Sequence, residues 1–129
     1  MRKRESDPEH DYLIGLAYLG GVDVEVDTER ALSLIISAAQ QDYPEAIEKL
    51  SNMYHIGEAV AKDLTAAINW QKKLVRLREN DFYRTGTPQA ATDWLNAQET
   101  LATLFFEAED YASATEVLKA LVPLCKKLY

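Results

Sequence analysis

The sequence predicts an all-α fold, a short right-handed α-α superhelix (a solenoid) of about six helices in three antiparallel pairs. The first observation behind this prediction is a phrase that runs from Tyr18 to Ala31 and recurs from Tyr54 to Ala67, at one offset (54 − 18 = 36). A fixed period of tens of residues is typical of repeat proteins, in which each unit needs a neighbour to cover its apolar face. The second observation is that apolar residues recur at helical spacing along most of the chain.

The phrase itself predicts a helix, a turn and a second helix. Gly57 follows the aromatic end of an apolar helix face, where a left-handed residue commonly ends a helix. Val60 is the lone apolar residue of the turn, and we expect it to fill the gap between the two helices. Asp63 is placed to cap the next helix, and the small side chain of Ala67 lets the two helices approach closely.

The same signals place the helices along the chain. Ser6 as N-cap and Pro8 in the first turn start helix one. Asn80 to Thr87 contains turn-forming residues and predicts a loop longer than the others. Pro123 lacks a backbone donor and should kink or end helix six. The predicted helices are about 7–19, 28–41, 44–56, 64–79, 88 to about 108, and one that Asp110 caps.

Side-chain patterning also predicts what is buried. We expect Leu13, Ile14, Ala17 and Tyr18 to form the buried face of helix one, and Trp70 to lie in the core. Cys125 is expected to be a small buried hydrophobic residue. Four bases late in helix four predict favourable contact with that helix's C-terminal dipole rather than an anion site. They are Lys72, Lys73, Arg76 and Arg78.

Composition bounds the class of protein. The 129 residues are 47% hydrophobic and 27% charged, as in a globular domain, and the formal net charge of −7 argues against nucleic acid as a partner. No apolar run approaches the roughly 20 residues that a membrane helix needs. The basic N-terminus lacks the apolar segment of a signal peptide, and one cysteine cannot form an internal disulfide. These features predict a cytoplasmic protein, with residues 1–6 disordered and residues 7–129 forming one domain.

The repeated phrase resembles the Sel-one-like repeat, a relative of the tetratricopeptide repeat. The first unit matches the family pattern at Tyr18, Gly21, Val24, Asp27, Ala31, Ala38, Ala39 and Ala46, and the second at Tyr54, Gly57, Val60, Asp63, Ala67, Trp70 and Lys73. Asp23 and Ala59 stand where the family has a second glycine, Asp42 replaces its last glycine, and Leu34 replaces its tryptophan in the first unit.

The third unit resembles the tetratricopeptide repeat proper. Its span from the aromatic residue to the small alanine is shorter (114 − 105 = 9) than in the first unit (31 − 18 = 13). The residues on the signature positions of that family are Leu101, Ala102, Phe105, Ala114 and Leu118, with Leu121 where the family prefers alanine. The resemblance therefore implies units at about 7–42, 43–79 and 88–129.

The same resemblance implies a concave groove lined by the first helix of each pair. Carried over by register, the groove residues are Glu9, Tyr12, Leu16 and Leu19, then Glu45, Glu48, Asn52 and His55, then Asn96, Glu99, Thr103, Phe106 and Glu107. This set contains acids and no lysine or arginine, which suits a basic or amphipathic peptide with Phe106 as its buried anchor. The alternative is a solvated acidic face that binds nothing.

The sequence offers no phosphate loop, no nucleophile motif and no Cys/His metal spacing, and His10 and His55 each stand alone. We therefore expect no cofactor and no catalytic or metal site, and an enzyme is the less favoured class. Two functions stay open. One is an adaptor that binds a protein or peptide in the groove. The other is a structural unit, either part of a longer solenoid or a homodimer that associates through Leu124, Leu128 and Tyr129.

Overall fold

The structure is a computed structural model that describes the backbone of residues 7–128 and the side chains of residues 7–121. Within that range there are six helices and no strand, so the all-α prediction is confirmed. They are α1 (Pro8–Gly20), α2 (Thr28–Gln40), α3 (Pro44–Ile56), α4 (Leu64–Thr85), α5 (Pro88–Glu107) and α6 (Tyr111–Leu128). The expectations for residues 1–6 and for the side chains of Leu124, Cys125, Leu128 and Tyr129 lie outside this range.

Each helix packs against the next one in the chain, which gives three helix pairs stacked as a repeat solenoid. A first core cluster lies between the first two units and reaches α5. Its buried residues are Ile35, Ala38, Ala39, Ala46, Ile47, Leu50, Met53, Leu74 and Ala97. A second cluster joins the last two units through Ala67, Ile68, Leu101, Leu104, Phe105 and Ala114. Alanines at the contact positions let the helices approach closely.

Left-handed residues end the first helix of each early unit. Gly21 and Gly57 have φ of 71° and 80°, and the Gly57 N–H donates to the Met53 carbonyl. Asp23, Asp42 and Ala59 also have positive φ, between 64° and 65°. These are the three positions where the Sel-one-like pattern has a glycine. The backbone conformation of the repeat is therefore kept although the glycine is lost.

Aspartate or threonine side chains cap every described helix except α3, which follows Tyr43 without such a hydrogen bond. Asp27, Asp63 and Thr87 each accept a hydrogen bond from the third backbone N–H that follows, at 3.1 Å. Asp110 accepts from the Ser113 N–H at the same distance. The prediction of Ser6 as the first cap is wrong, because Asp7 takes that position and accepts from the Glu9 N–H. Asp7 caps because it directly precedes Pro8, the first residue of α1.

The longer loop predicted at residues 80–87 is wrong, because α4 continues to Thr85 and only Gly86 and Thr87 separate it from α5. Phe82 in this extension packs against Trp94 of α5, with 5.5 Å between the ring centroids. This aromatic contact buries surface that outweighs the weak helix propensity of Asn80 and Asp81. Helix α6 likewise continues through Pro123 and does not end there.

The longer α4 also changes the role of the basic cluster. Residues 72–78 lie in the middle of α4, so the prediction that they complement its C-terminal dipole is wrong. Lys73 instead contacts the end of α2, where its Nζ lies 3.2 Å from the Ala39 carbonyl oxygen and 3.1 Å from Asp42 Oδ1. Lys73 thus supplies a cation to the C-terminus of a helix in the neighbouring unit.

The buried face of α1 differs from the prediction. Leu13 and Ile14 are exposed, and Gly15 is the buried residue that faces α2. A Cβ at Gly15 would lie 2.9 Å from Ile35 Cγ1, so only glycine allows this close approach. Trp70 is half-buried and packs against the first core cluster rather than lying inside it. Trp94 of α5 is the buried tryptophan.

Candidate functional site

An open cavity of about 440 Å³ lies along the solenoid between α1, α3 and α5, with α4 beneath it. We call it the groove. Its walls carry both charged and amide side chains, and its floor is formed by apolar and buried polar residues. The lining residues are Tyr12, Glu45, Glu48, Lys49, Ser51, Asn52, His55, Gln71, Leu74, Arg78, Asp93, Asn96, Ala97, Thr100 and Leu104.

The structure brings six of the predicted groove residues together in this cavity, namely Tyr12, Glu45, Glu48, Asn52, His55 and Asn96. The other seven predicted positions do not line it. Leu16 and Leu19 pack against the first core cluster, and Glu9 is exposed on α1. Glu107 touches His55 at one end of the groove. Glu99, Thr103 and Phe106 are exposed on α5 outside the cavity.

The register of α5 explains why the third unit differs. Its groove-facing residues are Asp93, Asn96, Thr100 and Leu104, spaced three and four residues apart as on one helix face. The residues carried over by family register, such as Glu99 and Phe106, fall on the adjacent face. Sequence reasoning missed Asp93 and Thr100, although counting back and forward from Asn96 at helical spacing would have found both.

The α1–α3 end of the groove is acidic. The rings of Tyr12 and Tyr43 pack 5.5 Å apart beside Glu45 and Glu48. Burial raises the pKa of the Tyr12 hydroxyl, and the charges of Glu45, Tyr43 and Glu48 raise that pKa further. The pKa of Tyr43 is also raised, by burial first and then by Glu45. Burial is thus the main cause of both raised pKa values, and the Glu45 carboxylate adds to each.

The two bases that line the groove have acidic partners. Lys49 Nζ lies 3.2 Å from Glu58 Oε1, and an Arg78 nitrogen lies 4.0 Å from Asp93 Oδ2. Among the described residues, Glu45 and Glu48 make no ion pair. The net character of the groove wall is therefore acidic, although the full wall does contain bases that the predicted set lacked.

Buried hydrogen bonds hold the floor in place. The Ser51 hydroxyl donates to the Ala67 carbonyl at 3.1 Å and ties α3 to α4. The Gln71 amide donates to the Ala97 carbonyl at 2.9 Å and ties α4 to α5. Since both donors are buried, breaking either bond would leave a polar group without water. The floor is thus fixed before any ligand arrives.

His55 and Glu107 close the other end. The imidazole Nε2 of His55 contacts the carboxylate of Glu107, which joins the second unit to the third across the groove. These residues are far apart in sequence, so their spacing gave no signal of the contact. Within the described part of the chain, no group of three His, Cys, Asp or Glu side chains is arranged to hold a metal ion. None of the described helices is long and apolar enough to cross a membrane.

Comparisons with known proteins agree with this architecture. No protein-family model and no curated protein matches the sequence. Among solved structures, the chain is similar to that described as "Crystal structure of Sel1 repeat protein from Oxalobacter formigenes", with a TM-score of 0.54 and 20% sequence identity. The match covers 81% of this chain and 44% of that one, so the chain spans less than half of its neighbour's length. The chain therefore has the fold of a Sel1-type helical repeat, as its repeated phrase predicted.

Proposed function

We propose that this protein is a non-catalytic adaptor or scaffold that binds a positively charged segment of a protein partner in the groove. The observation that carries the proposal is the open cavity whose wall presents Glu45 and Glu48 without ion-pair partners among the described residues. Helical-repeat solenoids use concave surfaces of this kind for binding. The fold alone fixes no function, whereas the side chains of the groove do select a class of ligand.

The dimensions of the groove suit a short extended segment. From Glu45 to His55 the wall of α3 covers ten residue steps, about 15 Å at 1.5 Å per residue. An extended chain advances roughly 3.3 Å per residue, so about five residues fit along it. The His55–Glu107 contact lies at one end of this wall, where such a segment would meet the third unit.

The chemistry of the wall suggests how such a segment would lie. Glu45 and Glu48, beside the paired rings of Tyr12 and Tyr43, favour a lysine or arginine side chain, through charge and through the ring faces. Asn52 and Asn96 lie further along, where their amides can donate to and accept from a peptide backbone. Charge then selects the ligand, and the amides orient it.

The hydroxyl of Ser51 supports a binding role over a catalytic one. It is buried in the floor and donates to the Ala67 carbonyl, so it is not poised as a nucleophile beside His55. The imidazole of His55 is engaged with Glu107. This histidine and carboxylate have no activated nucleophile beside them. We therefore assign their contact a structural role at the end of the groove rather than a catalytic one.

The test is a titration with short unstructured peptides of about six residues, one with alternating lysines and one with alternating glutamates, followed by calorimetry. We expect only the lysine peptide to bind, with affinity that falls as salt rises. The double change Glu45→Gln and Glu48→Gln should weaken binding about tenfold, as loss of charge pairs in interfaces does. The control is Glu25→Gln with Glu29→Gln, which removes the same charge far from the groove.

Two outcomes would overturn the proposal. Equal loss of affinity in the groove variant and in the control variant would mean that net charge alone attracts the peptide. Absence of lysine-peptide binding at low salt would leave the acids as a solvated face. Phe106→Ala should leave peptide binding unchanged, because Phe106 lies outside the groove.

A further inference from the structure

The last described unit exposes three large apolar side chains on one surface. Phe106 and Tyr111 pack edge to face, with 5.1 Å between ring centroids, and both are more than half exposed. Leu118 lies seven residues after Tyr111 on α6, two turns along the same side of the helix. We call the surface formed by Phe106, Tyr111 and Leu118 the end face.

The repeat itself shows what the end face would contact. Leu118 stands four residues after Ala114, as Gln71 does after Ala67 and Ile35 after Ala31. Ile35 is 0% exposed and Gln71 2% exposed, whereas Leu118 is 49% exposed. Gln71 reaches its burial by touching the next unit, because its amide donates to the Ala97 carbonyl of α5.

Phe106 also occupies a repeat position that is less exposed in the earlier units. It follows Phe105 as His55 follows Tyr54 and as Leu19 follows Tyr18. Leu19 packs against the first core cluster, and His55 contacts Glu107 of the following unit. Phe106 is 62% exposed. Two separate positions of the repeat are therefore buried or half-buried in the earlier units and exposed in the third.

The charges around the end face decide which helix it suits. Acidic residues stand close to its members in the sequence, namely Glu109, Asp110 and Glu116. Two described bases also lie here: Lys119 is engaged with Glu116 at 3.9 Å, and Lys72 lies 5.5 Å from the Phe105 ring centroid. Two copies meeting face to face would bring these acids together. That arrangement of two copies is opposed by like charge.

We propose that the end face docks an amphipathic α-helix of a protein partner, with lysine or arginine flanking its apolar stripe. The helix takes the place relative to α6 that α5 takes relative to α4. Phe106 and Leu118 supply the apolar anchors, and the acidic rim selects the basic flanks. This surface is separate from the groove, so the two can be occupied at once.

The experiment uses two synthetic helical peptides of about 20 residues, long enough to be partly helical in water. Both carry the same leucine and alanine stripe, one with lysines and the other with glutamates on the flanks. We expect the lysine helix to bind the full chain at least about tenfold more tightly than the glutamate helix. Leu118→Glu and Phe106→Ser should each weaken its binding about tenfold or more, as loss of an anchor does.

The control variant is Val22→Glu, which places the same new charge on an exposed apolar residue of the first unit. It should leave binding unchanged. In the Glu45→Gln, Glu48→Gln variant, whose groove binding is weakened, Leu118→Glu should still lower the affinity for the lysine helix, which separates this proposal from the groove. Equal weakening by Val22→Glu and Leu118→Glu would overturn the proposal, since binding would then be unspecific. A dimer in solution that Leu118→Glu dissociates would also overturn it, since the occupant would be a second copy of this chain.

Discussion

The first two units and the third close their helix pairs with the same hydrogen bond but with turns of different length. In each, the carbonyl of the aromatic residue accepts from the N–H of the aspartate cap. The pairs are Tyr18–Asp27 at 3.0 Å, Tyr54–Asp63 at 2.9 Å and Phe105–Asp110 at 2.9 Å. The turn spans nine steps in the second unit (63 − 54 = 9) and five in the third (110 − 105 = 5). The hydrogen bond between the aromatic residue and the aspartate is therefore kept in both kinds of turn.

The four extra residues of the long turn do not pack in the same way in the first two units. In the second unit they include Val60, which is half-buried and packs against the first core cluster as predicted. In the first unit Val24 is exposed, so the long turn does not need a buried valine to keep its shape. The third unit has one left-handed residue, Glu109, where the long turns have two. We therefore expect equivalent substitutions to change the free energy of unfolding by different amounts in the long-turn units and in the short-turn unit.

The largest expected effect on stability is the loss of the tryptophan of the third unit, compared with loss of the tryptophan of the second. Trp94→Ala should cost about 3–5 kcal/mol of unfolding free energy, since Trp94 is buried against Phe82 and Tyr83. Trp70→Ala should cost only about 1–2 kcal/mol, because Trp70 is half-buried. Denaturant titrations of both variants measure the difference, and equal costs would contradict it.

The control variant for Trp94→Ala is Trp94→Phe. The buried indole nitrogen of Trp94 has no hydrogen-bond partner among the described residues. Trp94→Phe removes that unpaired donor together with some apolar area, so the two effects oppose each other. We expect its cost to stay below about 1.5 kcal/mol. A cost as large as that of Trp94→Ala would mean that the indole donor has a partner.

The second prediction concerns the glycine of the long turn. Gly57→Val should destabilise by about 2 kcal/mol or more, because φ is 80° and a β-branched residue is costly in the left-handed region. Gly57→Asn should cost less than half as much, since asparagine tolerates that region. Thermal unfolding compares the two, and an unchanged transition for Gly57→Val would remove the conformational argument.

The third prediction is a gain of stability. Ala59 has φ of 65°, a region that costs an alanine roughly 1 kcal/mol. Ala59→Gly should relieve that cost and stabilise by up to about 1 kcal/mol, less the added entropy of the unfolded chain. Asp23→Gly in the first unit should gain less, since aspartate is enriched in this conformation. Chemical denaturation of both variants measures the two gains in unfolding free energy. An equal gain at the two sites would contradict the prediction.

The smallest expected effect is on the cap of the short turn. The Ser113 hydroxyl, and then the Ser113 backbone N–H, hold the pKa of Asp110 below its ordinary value of 3.8. A lowered pKa means that the contribution to stability is present above the ordinary value and is lost as pH falls through the folded value. Nuclear magnetic resonance titration of Ser113→Ala should show the Asp110 pKa rising toward 3.8. An unmoved pKa would exclude the serine as its cause.

Local features of the sequence predicted the repeat well. Gly57, Asp63 and Thr87 act through their own backbone neighbours, so their roles follow from the residues beside them. The bounds of α2 and α3 and the start of α4 follow for the same reason. The same residue types mark the turn and the caps wherever the phrase occurs.

Contacts between distant residues account for what the sequence could not predict. The extension of α4 depends on Phe82 meeting Trp94, and the buried face of α1 depends on Gly15 meeting Ile35. The family register predicted the α3 wall best, because α3 keeps the spacing of the repeat. On the α5 wall it predicted only Asn96, since the third unit resembles a different repeat with its own offset. The His55–Glu107 closure could be seen only in the fold.

The most direct test of the groove as a binding site is a map of amide chemical shifts during titration with the lysine peptide. We predict that the largest changes fall at Glu48, Asn52, Asn96 and Thr100, on facing walls of one cavity. The end face, including Leu118, should not respond to this unstructured peptide. Saturable shifts confined to the end face, or shifts scattered over the acidic surface without saturation, would contradict the central claim that the groove binds a cationic chain.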